Sequence, residues 1–180
     1  MAVQAHNLTT APVLIIHGLA NECHDWITDA VREAVDTYTV CFNVGPSPVL
    51  DTFVYNIHHQ GEILCDLIHE DPYFKDGNFS IMGVSQGAIL TKYVMEYCPL
   101  DQPIRTVVTF GGPHMGVSYV PRCPRETWYG YLLGIFANNI IYYDFSQWIL
   151  APADYWRDPT SPENFLKYSR FLAEANNEKN

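Results

Sequence analysis

Phe79-Ser80-Ile81-Met82-Gly83-Val84-Ser85-Gln86-Gly87 decides how this chain folds. The residues up to Val84 form an apolar run, and Ala88 to Cys98 then places Ile89, Tyr93, Val94 and Tyr97 at helical spacing. A strand therefore passes through a tight turn into a helix, which is the setting of a nucleophile elbow. In such a turn, side chains two residues before and after the serine would strike neighbouring backbone, which explains glycine at both Gly83 and Gly87. The Ser85 hydroxyl would then project clear of the sheet as a candidate nucleophile. By itself a G-x-S-x-G pattern turns up by chance in about one chain in twenty of this length. Its weight here comes from the strand before it and the helix after it.

Working outward, Ala11 to Gly18 is a continuous apolar run ended by glycine, the pattern of a strand buried on both faces. Trp26 to Tyr38 has helical periodicity, Thr39 to Val44 reads as a strand, and Val54 to Glu70 reads as one long amphipathic helix. Beyond the elbow helix, Ile104 to Phe110 is another strand of the buried type. Strands alternating with helices predict a parallel sheet with helices on both faces, in a single domain. From about Tyr119 to Asp158 the rhythm breaks into an aromatic-rich segment, read as a helical cap over the C-terminal edge of the sheet. An equally weighted reading has its aromatic side chains filling a core of their own. Glu163 to Asn176 reads as one further helix.

Acyl transfer needs a nucleophile, an oxyanion hole, a base, and an acid to orient the base. The N–H of Gln86, just after Ser85, is one oxyanion donor, and Leu19 in the loop His17-Gly18-Leu19 is chosen as the second. His17 reads as backbone geometry at a strand end, and His114 as a hydrogen-bonded structural histidine. His58, His59 and His69 fall on the predicted long helix, where a solvated face is the default. His58 and His59, being adjacent, point apart and make a poor metal pair, so no metal or cofactor is expected.

The net charge of −10 argues against nucleic acid or an anionic membrane as partner. With 48% hydrophobic and 17% charged residues, the 180-residue chain is globular and not disordered. No apolar run is long enough to cross a membrane, and Met1 to Thr10 lacks the pattern of a signal peptide. The 5 cysteines lack C-x-x-C spacing, and an odd number cannot all pair internally. Sequons stand at Asn7-Leu8-Thr9 and Asn78-Phe79-Ser80.

The sequence resembles the palmitoyl-protein thioesterases. The likeness rests on His17-Gly18-Leu19, on Met82 to Gly87, on Gly111-Gly112-Pro113-His114-Met115-Gly116-Val117, on Val120 to Pro124, on Asp154-Tyr155-Trp156-Arg157-Asp158-Pro159 and on Phe171 to Asn176, all in the family's order. The resemblance implies an α/β-hydrolase fold, Ser85 as nucleophile, Leu19 and Gln86 as oxyanion donors, and release of long-chain acyl groups from S-acylated proteins or acyl thioesters. It also implies a lysosomal or secreted location and a disulfide between Cys65 and Cys98. Cys41, within a strand read as buried, is expected to be a free thiol, and Tyr131 stands where a partner for Cys123 would be. The family's triad Asp and His come from loops beyond the Asp154 to Pro159 segment, so neither is expected in this chain, and the last strands of the sheet are expected to be missing. The readings that follow are a thioesterase catalytic in full-length form, a non-catalytic remnant that binds acyl chains or a protein through its cap, and, within the enzymes, a carboxylic ester lipase.

Overall fold

The computed structural model describes residues 11–119 and 139–179. Four parallel strands form one sheet: β1 (Val13–Ile16), β2 (Thr39–Phe42), β3 (Ser80–Val84) and β4 (Thr106–Phe110), in the spatial order β2-β1-β3-β4. In register, Val13 pairs with Thr39 on one side and with Ser80 on the other, and Ser80 pairs with Thr106. Between them run α1 (Asp25–Val35), α2 (Pro48–Val54), α3 (Ile57–Glu70) and α4 (Gln86–Tyr97). The chain steps one way from β1 to β2 and the other way afterwards. Right-handed crossovers therefore put α1 on one face and α3 with α4 on the other. The reversal falls between β1 and β3, whose C-terminal ends carry the His17 to Leu19 loop and the elbow; ligand crevices of open α/β sheets form at such a point.

All four residues of β1 are buried, and Leu14, Ile16 and Ile81 join Leu64, Ile68, Ile89 and Val94 from α3 and α4 in the core. β4 departs from its buried-type pattern: all five of its residues are exposed. Its apolar composition suits a central strand, yet among the described residues no strand pairs with its far edge. The helix read over Val54 to Glu70 runs from Ile57 to Glu70, and Val54 ends the preceding helix instead. Pro48 starts α2, and the Asn56 side chain accepts from His59 N at 2.8 Å to cap a new helix.

Past the elbow sheet come α5 (Asp144–Ile149), α6 (Ala151–Asp154), α7 (Pro162–Tyr168) and α8 (Leu172–Ala175). The last two divide the span 163–176, where one helix was expected; Ser169 is buried and its Oγ accepts from Ala173 N at 3.3 Å. The described part of the aromatic segment divides between the main core and the surface. Tyr155 and Trp156 are buried in the core cluster, while Tyr143, Phe145 and Trp148 are exposed. Cys123, Tyr131, the Val120 to Pro124 motif and the first sequon lie outside the described residues.

Cys65 and Cys98 are bridged, with Cα atoms 5.5 Å apart, joining α3 to the end of α4. Cys41 is not a free thiol. It is bonded to Cys23, Cα to Cα 5.6 Å, because β2 is an edge strand of this sheet and Cys41 lies only half-buried on it. His58 likewise departs from a solvated face, its ring meeting Tyr93 and Phe171 edge-on at 5.6 and 5.5 Å.

Two measurements check the disulfides. The double substitution Cys65→Ala/Cys98→Ala should cost about 2–4 kcal/mol of unfolding free energy in a urea titration. Peptide mapping without reductant should recover Cys23 joined to Cys41, and alkylation of Cys41 in the unreduced protein would contradict that bond.

Candidate active site

Ser85 stands between β3 and α4 with φ 54° and ψ −118°, a backbone conformation costly for any residue but glycine. Its N–H donates to Phe110 O at 2.8 Å, tying the turn to the end of β4. The two glycines of the motif are there for lack of room. A Cβ on Gly83 would lie 2.5 Å from Gly87 O, and one on Gly87 would collide with the carbonyl of Ile16 and lie 2.6 Å from that of His17. Gly18 is equally constrained, since a Cβ there would sit 2.9 Å from Ser85 Cβ. The loop after β1 thus lies against the serine, as an oxyanion loop must.

Gln86 is the first residue of α4, where backbone N–H groups have no partner within the helix and can serve a developing negative charge. Its side chain, which the sequence did not single out, is 1% exposed and fully engaged. Nε2 donates to Thr52 O at 3.0 Å and to Gln60 Oε1 at 3.2 Å, and Oε1 accepts from Tyr155 OH at 2.8 Å. Thr52 Oγ1 in turn accepts from Ala20 N at 2.9 Å, next to Leu19. The two candidate oxyanion donors are therefore held by one buried polar network, and preorganised donors are what acyl transfer requires.

Ser85 is exposed and opens onto a cavity of about 400 Å³ lined by Leu19, Phe53, Val117, Pro152, Tyr155 and Trp156 among others. That volume falls within the roughly 300–1,000 Å³ of small-molecule sites. Val117 N donates to Tyr155 O at 2.9 Å and Arg157 N to Val117 O at 2.7 Å, so the loop after β4 and the Tyr155–Trp156 segment form one wall. Among the described residues, no histidine or carboxylate lines this cavity. His17 lies instead beside a small separate cavity with Asn21, His24 and Cys41. Its Nδ1 donates to Gly18 O at 3.1 Å, its Nε2 has no partner among the described residues, and burial lowers its pKa. His114 and Thr109 Oγ1 are hydrogen-bonded at 3.1 Å, and burial followed by the charge of Lys92 lowers the imidazole's pKa. Among the described residues no group of three or more His, Cys, Asp or Glu could hold a metal ion.

Asp154, just before the cavity wall, entered the sequence reading only as the first residue of the Asp154 to Pro159 motif. It is wholly buried; Oδ2 accepts from Ile57 N at 2.6 Å and Oδ1 has no partner. Burial pushes its carboxyl up to about 7, against the opposing pull of that hydrogen bond and of Arg170.

A parallel sheet with helices on both faces, and a serine on a strand-to-helix elbow at the strand-order reversal, define an α/β hydrolase fold. Solved structures agree on the fold. A Bacillus licheniformis lipase, BlEst2 in mature form, aligns with TM-score 0.53 at 16% identity over 94% of this chain and 63% of its own. Aspergillus fumigatus lipase B aligns with TM-score 0.51 at 16% identity, over 66% of this chain and 28% of its own. The palmitoyl protein thioesterase profile matches residues 12–180, and the chain belongs to that family of hydrolases. It is 30% identical to palmitoyl-protein thioesterase 1 of Caenorhabditis elegans over 94% of its length, and 27% identical to palmitoyl-protein thioesterase 3 of Dictyostelium discoideum over 94%. It spans 59% and 57% of the length of those two relatives.

The Asp154 carboxyl makes stability depend on pH. Because its folded pKa lies above the ordinary aspartate value, the folded state holds the proton more tightly than the unfolded chain. That contribution is complete below about pH 4 and is lost as pH rises through about 7. Chemical denaturation should give a more stable protein at about pH 5 than at about pH 7.5, and Asp154→Asn should flatten the difference. An unchanged slope in the variant would place its origin elsewhere.

Proposed function

We propose that this chain carries the nucleophile half of a serine acyl hydrolase whose substrates are long-chain fatty acyl thioesters of S-acylated cysteines. The observation that carries the reading is Ser85 on a positive-φ elbow, opening into an apolar cavity beside Gly18, Leu19 and Gln86. Ser85 Oγ attacks the thioester carbonyl, the carbonyl oxygen takes up negative charge facing the N–H groups of Leu19 and Gln86, and collapse expels the cysteine thiolate to leave an acyl-serine. Water then hydrolyses that ester. The acyl chain lies against Phe53, Tyr155 and Trp156. Two disulfides suit an oxidising compartment, secreted or lysosomal, and a carboxyl neutralised by burial at Asp154 suits an acidic one.

The missing part of the mechanism is the base. Among the described residues neither a histidine nor a carboxylate lines the cavity to take the Ser85 proton. The same observation favours a second reading, in which the 180 residues bind acyl chains without turning them over.

A long-chain alkyl fluorophosphonate should label Ser85 slowly, and Ser85→Ala should abolish labelling; label on another residue would overturn the assignment. The 180-residue chain should hydrolyse a palmitoyl-cysteine substrate close to background at acidic and neutral pH, since a serine protease that keeps its serine but loses the base slows about a million-fold. Multiple turnover that depends on Ser85 would show that a base is recruited from within, His17 or His114 being first to test.

A further inference from the structure

Helices α2 and α5 are inside out. A surface helix of a globular protein normally buries its apolar stripe and exposes its polar one. In α5, Ser146 and Gln147 face inward. Gln147 is fully engaged, its Nε2 donating to Ile141 O and Ala153 O at 2.9 Å each and its Oε1 accepting from Arg170 N at 3.1 Å. Phe145, Trp148 and Ile149 face outward at the i, i+3, i+4 spacing of one helix face, with Phe145 70% and Trp148 60% exposed. In α2, Asp51 and Thr52 are buried, with Asp51 Oδ2 accepting from Ser47 N at 2.8 Å, while Val49, Leu50 and Phe53 are exposed, Leu50 at 58%. Single exposed apolar residues need no explanation. Two helices inverted in the same sense, with their polar sides locked inward by hydrogen bonds, do.

The two helices are neighbours in the fold. The Asn56 side chain at the end of α2 donates to Trp148 O at 2.8 Å, and α6, which follows α5, packs on α2. Phe53 of α2 and Pro152 of α6 both line the Ser85 cavity, so the exposed apolar face of α2 borders its mouth and the helix directly after α5 forms part of its lining. Arg170 lies over the Trp148 ring, its guanidinium 3.7 Å from the ring centroid.

We propose that this face, α2 with α5, seats the protein on a zwitterionic lipid surface, with the cavity mouth turned toward the bilayer. Exposed apolar residues gathered on helix faces mark an interaction site, and the continuity of α2 with the cavity through Phe53 selects the occupant. A protein segment laid along α2 would cover the entrance that Phe53 borders, whereas a bilayer presents acyl chains to it. Trp148, capped by a cation, and Tyr143 beside it belong to the residue types that settle at membrane interfaces. The net charge of −10 disfavours anionic lipid, so the attraction is apolar and insensitive to salt. The acyl-thioester reading supplies only the identity of what enters the cavity; docking itself does not use Ser85.

The test is partition of the 180-residue chain into phosphatidylcholine vesicles, by co-sedimentation and by quenching of tryptophan fluorescence with brominated lipid. Binding should persist at high salt, and quenching should fall in Trp148→Phe. Leu50→Glu and Phe145→Glu, both at outward positions, should each weaken partition at least tenfold with an unchanged circular dichroism spectrum. Ser85→Ala should bind as the parent does, which separates this proposal from the catalytic one. No partition, partition that requires anionic lipid and is reversed by salt, indifference to Leu50→Glu and Phe145→Glu, or absence of Trp148 quenching in the unsubstituted chain would each overturn it. So would a dimer in lipid-free solution that these two substitutions dissociate, since the face would then seat a second copy.

Discussion

Between the end of β1 and the first turn of α4 there is no space for one carbon atom. The carbonyl oxygens of Ile16 and His17 stand where a Cβ on Gly87 would be, and Gly87 itself stands where a Cβ on Gly83 would be. This close approach lets α4 begin against the sheet, which forces the chain at Ser85 into positive φ and lifts the side chain off the strand end. It also fixes the loop after β1, because Gly18 then lies against the serine. The placing of the candidate nucleophile, of the candidate oxyanion donors and of the end of β4, whose Phe110 O accepts the Ser85 N–H, follows from one packing contact.

The rest of the site is held by buried polar groups. Gln86 could sit in the core only with every side-chain hydrogen-bonding atom engaged, and its partners come from α2, α3 and the cavity wall. Through them the oxyanion loop, the helix carrying Phe53 and the wall carrying Tyr155 share one network. Asp154 adds a second anchor, its carboxylate oxygen fixed on the first N–H of α3. A buried carboxyl with one orphaned oxygen is more stable neutral, so this part of the wall is suited to acid.

The elements that position the site were legible in the sequence because they are governed by local patterns. β1, β3 and α4 follow from apolar runs and 3.6-residue spacing, and the glycines at 83 and 87 from sterics. What was not legible depended on neighbours. Cys41 reads as a buried thiol from its strand alone, but β2 is an edge strand and Cys23 comes from the loop after β1 to meet it. Ile104 to Phe110 reads as buried because it is apolar, while β4 lies at the other edge with every residue exposed. The break at Tyr55–Asn56 carried a signal, the Asn56 cap with Pro48 at the preceding helix start, that periodicity across the junction obscured. Thr52 and Gln60 showed no signal, and Asp154 only its place in the Asp154 to Pro159 motif, since their partners Gln86 and Ile57 lie in segments distant in sequence.

The central claim is that the elbow presents Ser85 to two backbone donors inside an apolar cavity. A crystal structure of the chain carrying a long-chain alkyl phosphonate tests it most directly. The account predicts phosphonylation of Ser85 Oγ, a phosphoryl oxygen about 2.7–3.1 Å from both Leu19 N and Gln86 N, and the alkyl chain against Tyr155 and Trp156. A phosphoryl oxygen turned to solvent, or an alkyl chain lying outside the cavity, would contradict it.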